Sequence, residues 1–240
     1  MLEKSSRISI FTGHFGSGKT ETALNYAIEI SGRYSKTTVV DLDIVNPYFR
    51  TRIVRDFLEK NGIKVVCPPG RLAAADLPAL PAAIMGVLED TDCCGVFDTG
   101  GYDVGAVALS SLRNYLPTGA FTLFLVVNTC RLLTRDVQGI IETVIDIEKA
   151  SRLKINALVS NVHMGSETDV ATILRGHEIV MEAAKRLDLP VAFMCVHRDL
   201  VDAIGDVNVP VLPLTLFMKP PWYDGGQSEA VSLVKVYLPR

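Results

Sequence analysis

Cysteine is sparse in this 240-residue sequence. Its five residues, Cys67, Cys93, Cys94, Cys130 and Cys195, form no C-x-x-C pair and no zinc-like spacing with histidine. A disulfide-stapled scaffold and a zinc ribbon are thereby excluded as the organising principle. Cationic excess is missing as well. The 24 Lys and Arg face 27 Asp and Glu, leaving a formal charge of -3, which argues against a protein that grips phosphate backbones of nucleic acid. No run approaches the roughly 18 apolar residues of a membrane span. Residues 1–10 scatter charges where a secretory signal needs an apolar core. The expectation is a cytoplasmic protein with no membrane span. Low-complexity tracts and internal repeats are also lacking.

Hydrophobic residues make up 48% of the chain and charged residues 21%, enough apolar surface to offset the entropy of ordering. One domain over residues 1–240 is expected from the length. Short β-branched runs lie at residues 8–12, 38–41, 95–98, 121–127, 157–161 and 191–195. Parallel strands buried on both faces read this way. Two further runs, 64–67 and 209–214, are candidate strands. Between them a 3.6-residue period groups Ala23, Leu24, Ala27 and Ile28, then Val137, Ile140, Ile141, Val144 and Ile145. A third helix is predicted over 169–187, with Val170, Ile173, Leu174, Val180, Met181 and Ala184 on one stripe and His177 packed among them. This β-α alternation predicts an α/β fold, a mostly parallel sheet with helices on both faces.

The strongest local signal is Gly13-His14-Phe15-Gly16-Ser17-Gly18-Lys19-Thr20, a complete G-x-x-x-x-G-K-T between a predicted strand and a predicted helix. Glycines let successive N–H groups curl around a phosphate, and the helix N-terminus adds a favourable dipole. Lys19 is the candidate for the β- and γ-phosphates and Thr20 for Mg²⁺, with Glu21 following in the same turn. Asp98 ends its strand ahead of Thr99-Gly100-Gly101 and is the candidate second-sphere magnesium group. Asp41 and Asp43 end the second strand. Their spacing of two directs both carboxylates to one side, Asp41 toward the metal and Asp43 toward the attacking nucleophile.

Taken together, the phosphate loop, Asp41-Leu42-Asp43, Asp98-Thr99-Gly100 and the Ser160-Asn161 strand end resemble the ParA/MinD-type branch of the P-loop NTPases. That branch belongs to the SIMIBI class, alongside arsenical-pump ATPases and dethiobiotin-synthetase-like enzymes. The resemblance spans roughly residues 7–215. It implies a single P-loop domain with a parallel sheet of about seven strands, ATP with Mg²⁺, and a nucleotide-controlled homodimer. It also implies a water-activating role for Asp43, magnesium held through water by Asp98, and adenine read by Asn161. His14 stands where the family carries a lysine that reaches the facing subunit, and an imidazole is shorter and mostly neutral at pH 7. Arg50, Arg52 and Arg113 are the candidate sources of the missing charge.

Three activities follow from these residues. The first is a Mg-dependent ATPase that acts as a switch on a protein partner. The second is a small-molecule kinase or ATP-dependent ligase resembling dethiobiotin synthetase, with an acceptor pocket from residues 67–76 and 101–113. The third is a nucleotide sensor without catalysis. The segment 227–240 carries an apolar pattern that reads as core packing, since it lacks the basic face of a membrane-surface helix.

Overall fold

The computed structural model describes residues 6–42, 54–67, 82–116 and 119–218, without the side chains of residues 102–104 and 107. Asp43, Arg50, Arg52 and the segment 227–240 lie outside the described residues. Eight strands form one sheet: β1 Ile8–Thr12, β2 Lys36–Leu42, β3 Ile63–Val66, β4 Cys93–Thr99, β5 Phe121–Val127, β6 Ala157–Ser160, β7 Val191–His197 and β8 Val211–Leu214. Their order is β3-β2-β4-β1-β5-β6-β7-β8, and every pairing is parallel. The count exceeds the seven of the resemblance because both candidate runs, at β3 and β8, find a partner strand. The helices are α1 Lys19–Ser31, α2 Arg55–Lys60, α3 Ala82–Glu89, α4 Tyr102–Leu112, α5 Val137–Ser151, α6 Val170–Leu187 and α7 Val201–Ile204.

The central strands are apolar along their whole length because both faces are covered. Every residue of β1 and of β4 is buried. Ile8 and Ile10 point into a core built with Leu109 and Leu112 of α4, Ile140 and Ile147 of α5, and Val180 of α6. On the opposite face Phe11 joins Ala23, Leu24, Tyr26 and Ala27 of α1 and Leu58 of α2. There Phe11 stacks on Phe124 with ring centroids 5.0 Å apart, and Tyr26 stacks on Phe193 at 5.7 Å. Such pairs contribute about 0.5–1.5 kcal/mol each beyond their buried area. Phe11 and Tyr26 also meet edge to face at 5.1 Å, which fixes α1 against β1 and so the entry and exit of the loop between them.

Two elements depart from the sequence reading. The segment 101–113, named there only as part of an acceptor pocket and given no helix, holds helix α4, whose Leu109 and Leu112 are fully buried. Gly105 permits its close start, because a Cβ there would lie 2.3 Å from the Gly100 carbonyl oxygen. In α5 the buried stripe is Ile140, Thr143, Val144, Ile147 and Ser151, while Ile145 is 54% exposed. A buried threonine takes part of the face that apolar periodicity gives to Ile145. His177 is buried on α6, as expected, while Met181 sits toward solvent.

Arg7, just before β1, donates from its guanidinium to the carbonyls of Val87, Leu88, Asp90 and Cys93. This satisfies the orphan carbonyls at the end of α3 and ties that helix to the centre of the sheet.

Candidate functional site

The loop 13–18 leaves β1, the strand at which the chain's crossovers change direction, and runs straight into α1. Crevices of open parallel sheets lie outside the carboxyl ends of strands at such a point. Helix ends separate into two kinds here. Asp136 caps α5 by accepting from Gly139 N, and Asp169 caps α6 by accepting from Thr172 N. The N-termini of α1 and α4, which follow the loop and Asp98, carry no side-chain cap, nor do those of the short helices α2 and α7. First-turn N–H groups left in this way can be satisfied by an anion.

Lys19 and Thr20 open α1, both buried. Asp41 and Asp98 are register partners on the adjacent strands β2 and β4 and are 2% and 1% exposed. By the alternation of each strand they share the sheet face of Val39, Val96 and Phe11, which is the face covered by α1. The fold therefore gathers Lys19, Thr20, Asp41 and Asp98 at one end of one face. Among the described residues no group of three or more His, Cys, Asp or Glu comes together as a metal site. This composition suits Mg²⁺, which keeps several waters and takes one or two protein oxygens beside substrate phosphates.

The loop itself fits a polyphosphate. Gly18 adopts φ 79°, and a Cβ there would lie 2.2 Å from Asn161 Nδ2 and 3.1 Å from His163 Nε2. The Ser17 hydroxyl is buried and has no hydrogen-bond partner among the described residues. Ser17 N donates to His14 O at 3.1 Å, closing the turn. Phe15 at the loop apex is 69% exposed.

Three residues grouped with the nucleotide by sequence have protein partners. His14 Nε2 lies 3.1 Å from Thr143 Oγ1, whose hydroxyl in turn donates to Gly139 O at 2.8 Å. The imidazole therefore donates to Thr143 and anchors the loop on α5. Asn161 Nδ2 donates to Ser17 O at 2.7 Å, within the loop. Glu21 turns away from the loop: its carboxylate accepts from Phe217 N at 2.9 Å and from Met218 N at 2.6 Å. Asn25 binds both N and O of Thr215 in the same segment. Arg113, a candidate charge, is exposed in the turn after α4.

Burial pushes the Glu21 carboxyl up to about 7, against the two backbone N–H bonds that favour its ionised form. A folded-state value above the unfolded one means that the folded chain holds a proton the unfolded chain has released. The stabilisation is complete below pH ~4.5 and is lost as pH rises toward 7, about 3 kcal/mol at most. Thermal melts from pH 5 to 8 should thus show wild type losing stability relative to Glu21→Gln, which keeps one acceptor oxygen and cannot ionise. Parallel profiles for the two proteins would refute this assignment.

Sequence reasoning overlooked Asn128 and Arg131. Fully buried after β5, Asn128 donates from Nδ2 to Gly16 O at 3.2 Å and to His163 O at 2.9 Å. Arg131 Nε donates to the same Gly16 oxygen at 3.0 Å. A usable signal existed: Asn128 and Asn161 each follow directly on an apolar strand, and β5 pairs with β6 so that Val127 faces Ser160. His163 is pushed down to about 4 by burial and by the Arg131 charge, so it stays neutral at pH 7.

No protein-family model matches the chain, and no curated protein matches it. Solved structures do. Cell division protein FtsY from Thermotoga maritima aligns with a TM-score of 0.55 and 18% identity over 81% of this chain and 63% of that one. Signal recognition particle receptor FtsY from Elizabethkingia anophelis gives 0.54 and 18% over 80% and 59%. FlhF complexed with GTP and Mg²⁺ gives 0.52 and 16% over 80% and 66%. The chain has the P-loop NTPase fold. At these identities the likeness is one of fold alone, and it does not single out the ParA/MinD branch. The chain spans less than two thirds of the length of each of these structures. No described helix is long and apolar enough to cross a membrane.

Proposed function

We propose that this protein binds ATP with Mg²⁺ in the 13–20 loop, hydrolyses it, and uses the bound state as a switch on a protein partner. The observation that carries this reading is the conjunction at one crevice of an uncapped α1, a loop whose Gly18 has no room for a side chain, and the buried Lys19, Thr20, Asp41 and Asp98. Backbone N–H groups and the Lys19 ammonium would neutralise the phosphates, with Thr20, Asp98 and Asp41 holding Mg²⁺ directly or through water. When bound, Mg²⁺ supplies charge neutralisation at the triphosphate tail. Asp43 is the proposed group that orients the attacking water. A partner surface is supported by exposed apolar residues of the two segments that Arg131 and Gly16 tie together, Phe15 at 69%, Leu132 at 74% and Leu133 at 58%.

Adenine is favoured over guanine. The support is the resemblance that matches Asn161 to an adenine-reading asparagine. The FlhF structure with GTP and Mg²⁺ favours GTP as a second reading. Titration calorimetry with Mg-ATP and Mg-GTP separates them. Binding of ATP at least about tenfold tighter, a difference of ~1.4 kcal/mol, is expected. The reverse order would replace ATP with GTP, and neither heat nor a shift in melting with either nucleotide would remove the proposed function.

A further inference from the structure

Behind the phosphate loop the ends of β5 and β6 carry two buried asparagines, and their amides meet two consecutive loop carbonyls. Asn128 uses its whole hydrogen-bonding capacity. Nδ2 donates to Gly16 O and His163 O, while Oδ1 accepts from Cys130 N at 3.0 Å and His163 N at 3.1 Å. This network also fixes which end of the amide is nitrogen. Asn161 donates to Ser17 O. A peptide plane holds its C=O and the next N–H on opposite sides. Pinning Ser17 O backward therefore aims the Gly18 N–H forward, away from Asn161. Pinning Gly16 O, with Arg131 as a second donor, holds the turn in which Ser17 N bonds His14 O.

We propose that Asn128 and Asn161 are positioning residues that brace the loop from behind, Asn161 aiming the Gly18 N–H at phosphate through Ser17 O and Asn128 holding the 14–17 turn through Gly16 O, and that Asn161 contributes to phosphate affinity independently of any base. This rests on the nucleotide reading of the same site and assigns that site a new pair of supports. A cradle whose N–H groups are already aimed loses less entropy and reorganisation when the anion arrives. The two residues come from adjacent strands of a rigid sheet, which makes the support precise.

The test compares Mg-ATP with inorganic tripolyphosphate and Mg²⁺, the tail without its nucleoside. Asn161→Ala should weaken both ligands by the same factor, about tenfold, as expected for one lost hydrogen bond to an aligned carbonyl. Loss for ATP with tripolyphosphate unaffected would make Asn161 a base reader, and loss for neither would make it inert; either result overturns the brace. Asn161→Asp adds a readout that mere packing would not move. At pH 7 its carboxylate repels Ser17 O where the amide donated, so its tripolyphosphate deficit should exceed that of Asn161→Ala. A deficit no larger than that of the alanine variant contradicts the proposal. Asn128→Asp should lose both ligands together, and Asn128→Ser serves if the aspartate does not fold. A wild type that binds neither ligand would fail the nucleotide reading itself, while one that binds ATP and not tripolyphosphate would fail the brace alone.

Discussion

Lys19→Ala is expected to reduce Mg-ATP affinity at least about 100-fold, ~2.7 kcal/mol. The ammonium is buried at the first turn of α1, where little water screens it and its attraction for phosphate oxygens is correspondingly strong. Hydrogen bonds to charged groups contribute about 1.5–3 kcal/mol each, so the loss of one such donor accounts for the size of the effect. Turnover should fall with affinity, because the same charge meets the γ-phosphate as negative charge redistributes. The unliganded protein should melt no lower than wild type, since removing a buried ammonium also removes its desolvation cost. Calorimetry and a melting curve without nucleotide test both halves. Unchanged affinity would mean that the triphosphate does not lie in this loop.

Gly13→Ala should be nearly as damaging by a steric route. A Cβ at Gly13 would lie 2.6 Å from the Val126 carbonyl oxygen and 2.8 Å from Ser17 Oγ. The first obstacle is backbone in β5, at the heart of the sheet, and cannot rotate aside as a side chain would. The loop must shift instead, so we expect roughly 100-fold weaker ATP binding together with destabilisation of about 1–3 kcal/mol. Gly32→Ala is the matching control. Nothing lies within 4 Å of a Cβ there, and its backbone is right-handed helical, so binding should stay at the wild-type level and stability should hold or rise slightly. Equal binding by Gly13→Ala and wild type would show that the loop carries slack that its packing does not suggest.

How much of this was legible in the sequence depends on the kind of signal. Strand positions were readable because β1, β4 and β5 sit under helices on both faces, which forces continuous apolar runs such as Phe121–Val127. The loop was readable because its chemistry demands glycine at fixed offsets beside Lys19. Helix α4 was not, because three glycines, Gly100, Gly101 and Gly105, crowd its start, and glycine is a weak helix former. In the structure Gly105 is there to let the helix pass the Gly100 carbonyl. Ile145 was placed inside because periodicity counts apolar residues and ignores Thr143, which is buried by bonding to His14 and Gly139. Asn161 was noticed for its strand-end position, but its partner could not be read, since Ser17 is 144 residues away in the chain.

By itself the sequence determined the fold class and the identity of the phosphate loop, because burial on two faces and close approach of backbone to an anion each constrain residue type locally. Only the tertiary structure decided what His14, Glu21, Asn128 and Asn161 do. Their roles are set by hydrogen bonds to Thr143, to the segment after β8 and to carbonyls of the loop. Such bonds join parts of the chain that no local pattern connects, and a polar side chain accepts many partners until packing leaves it one.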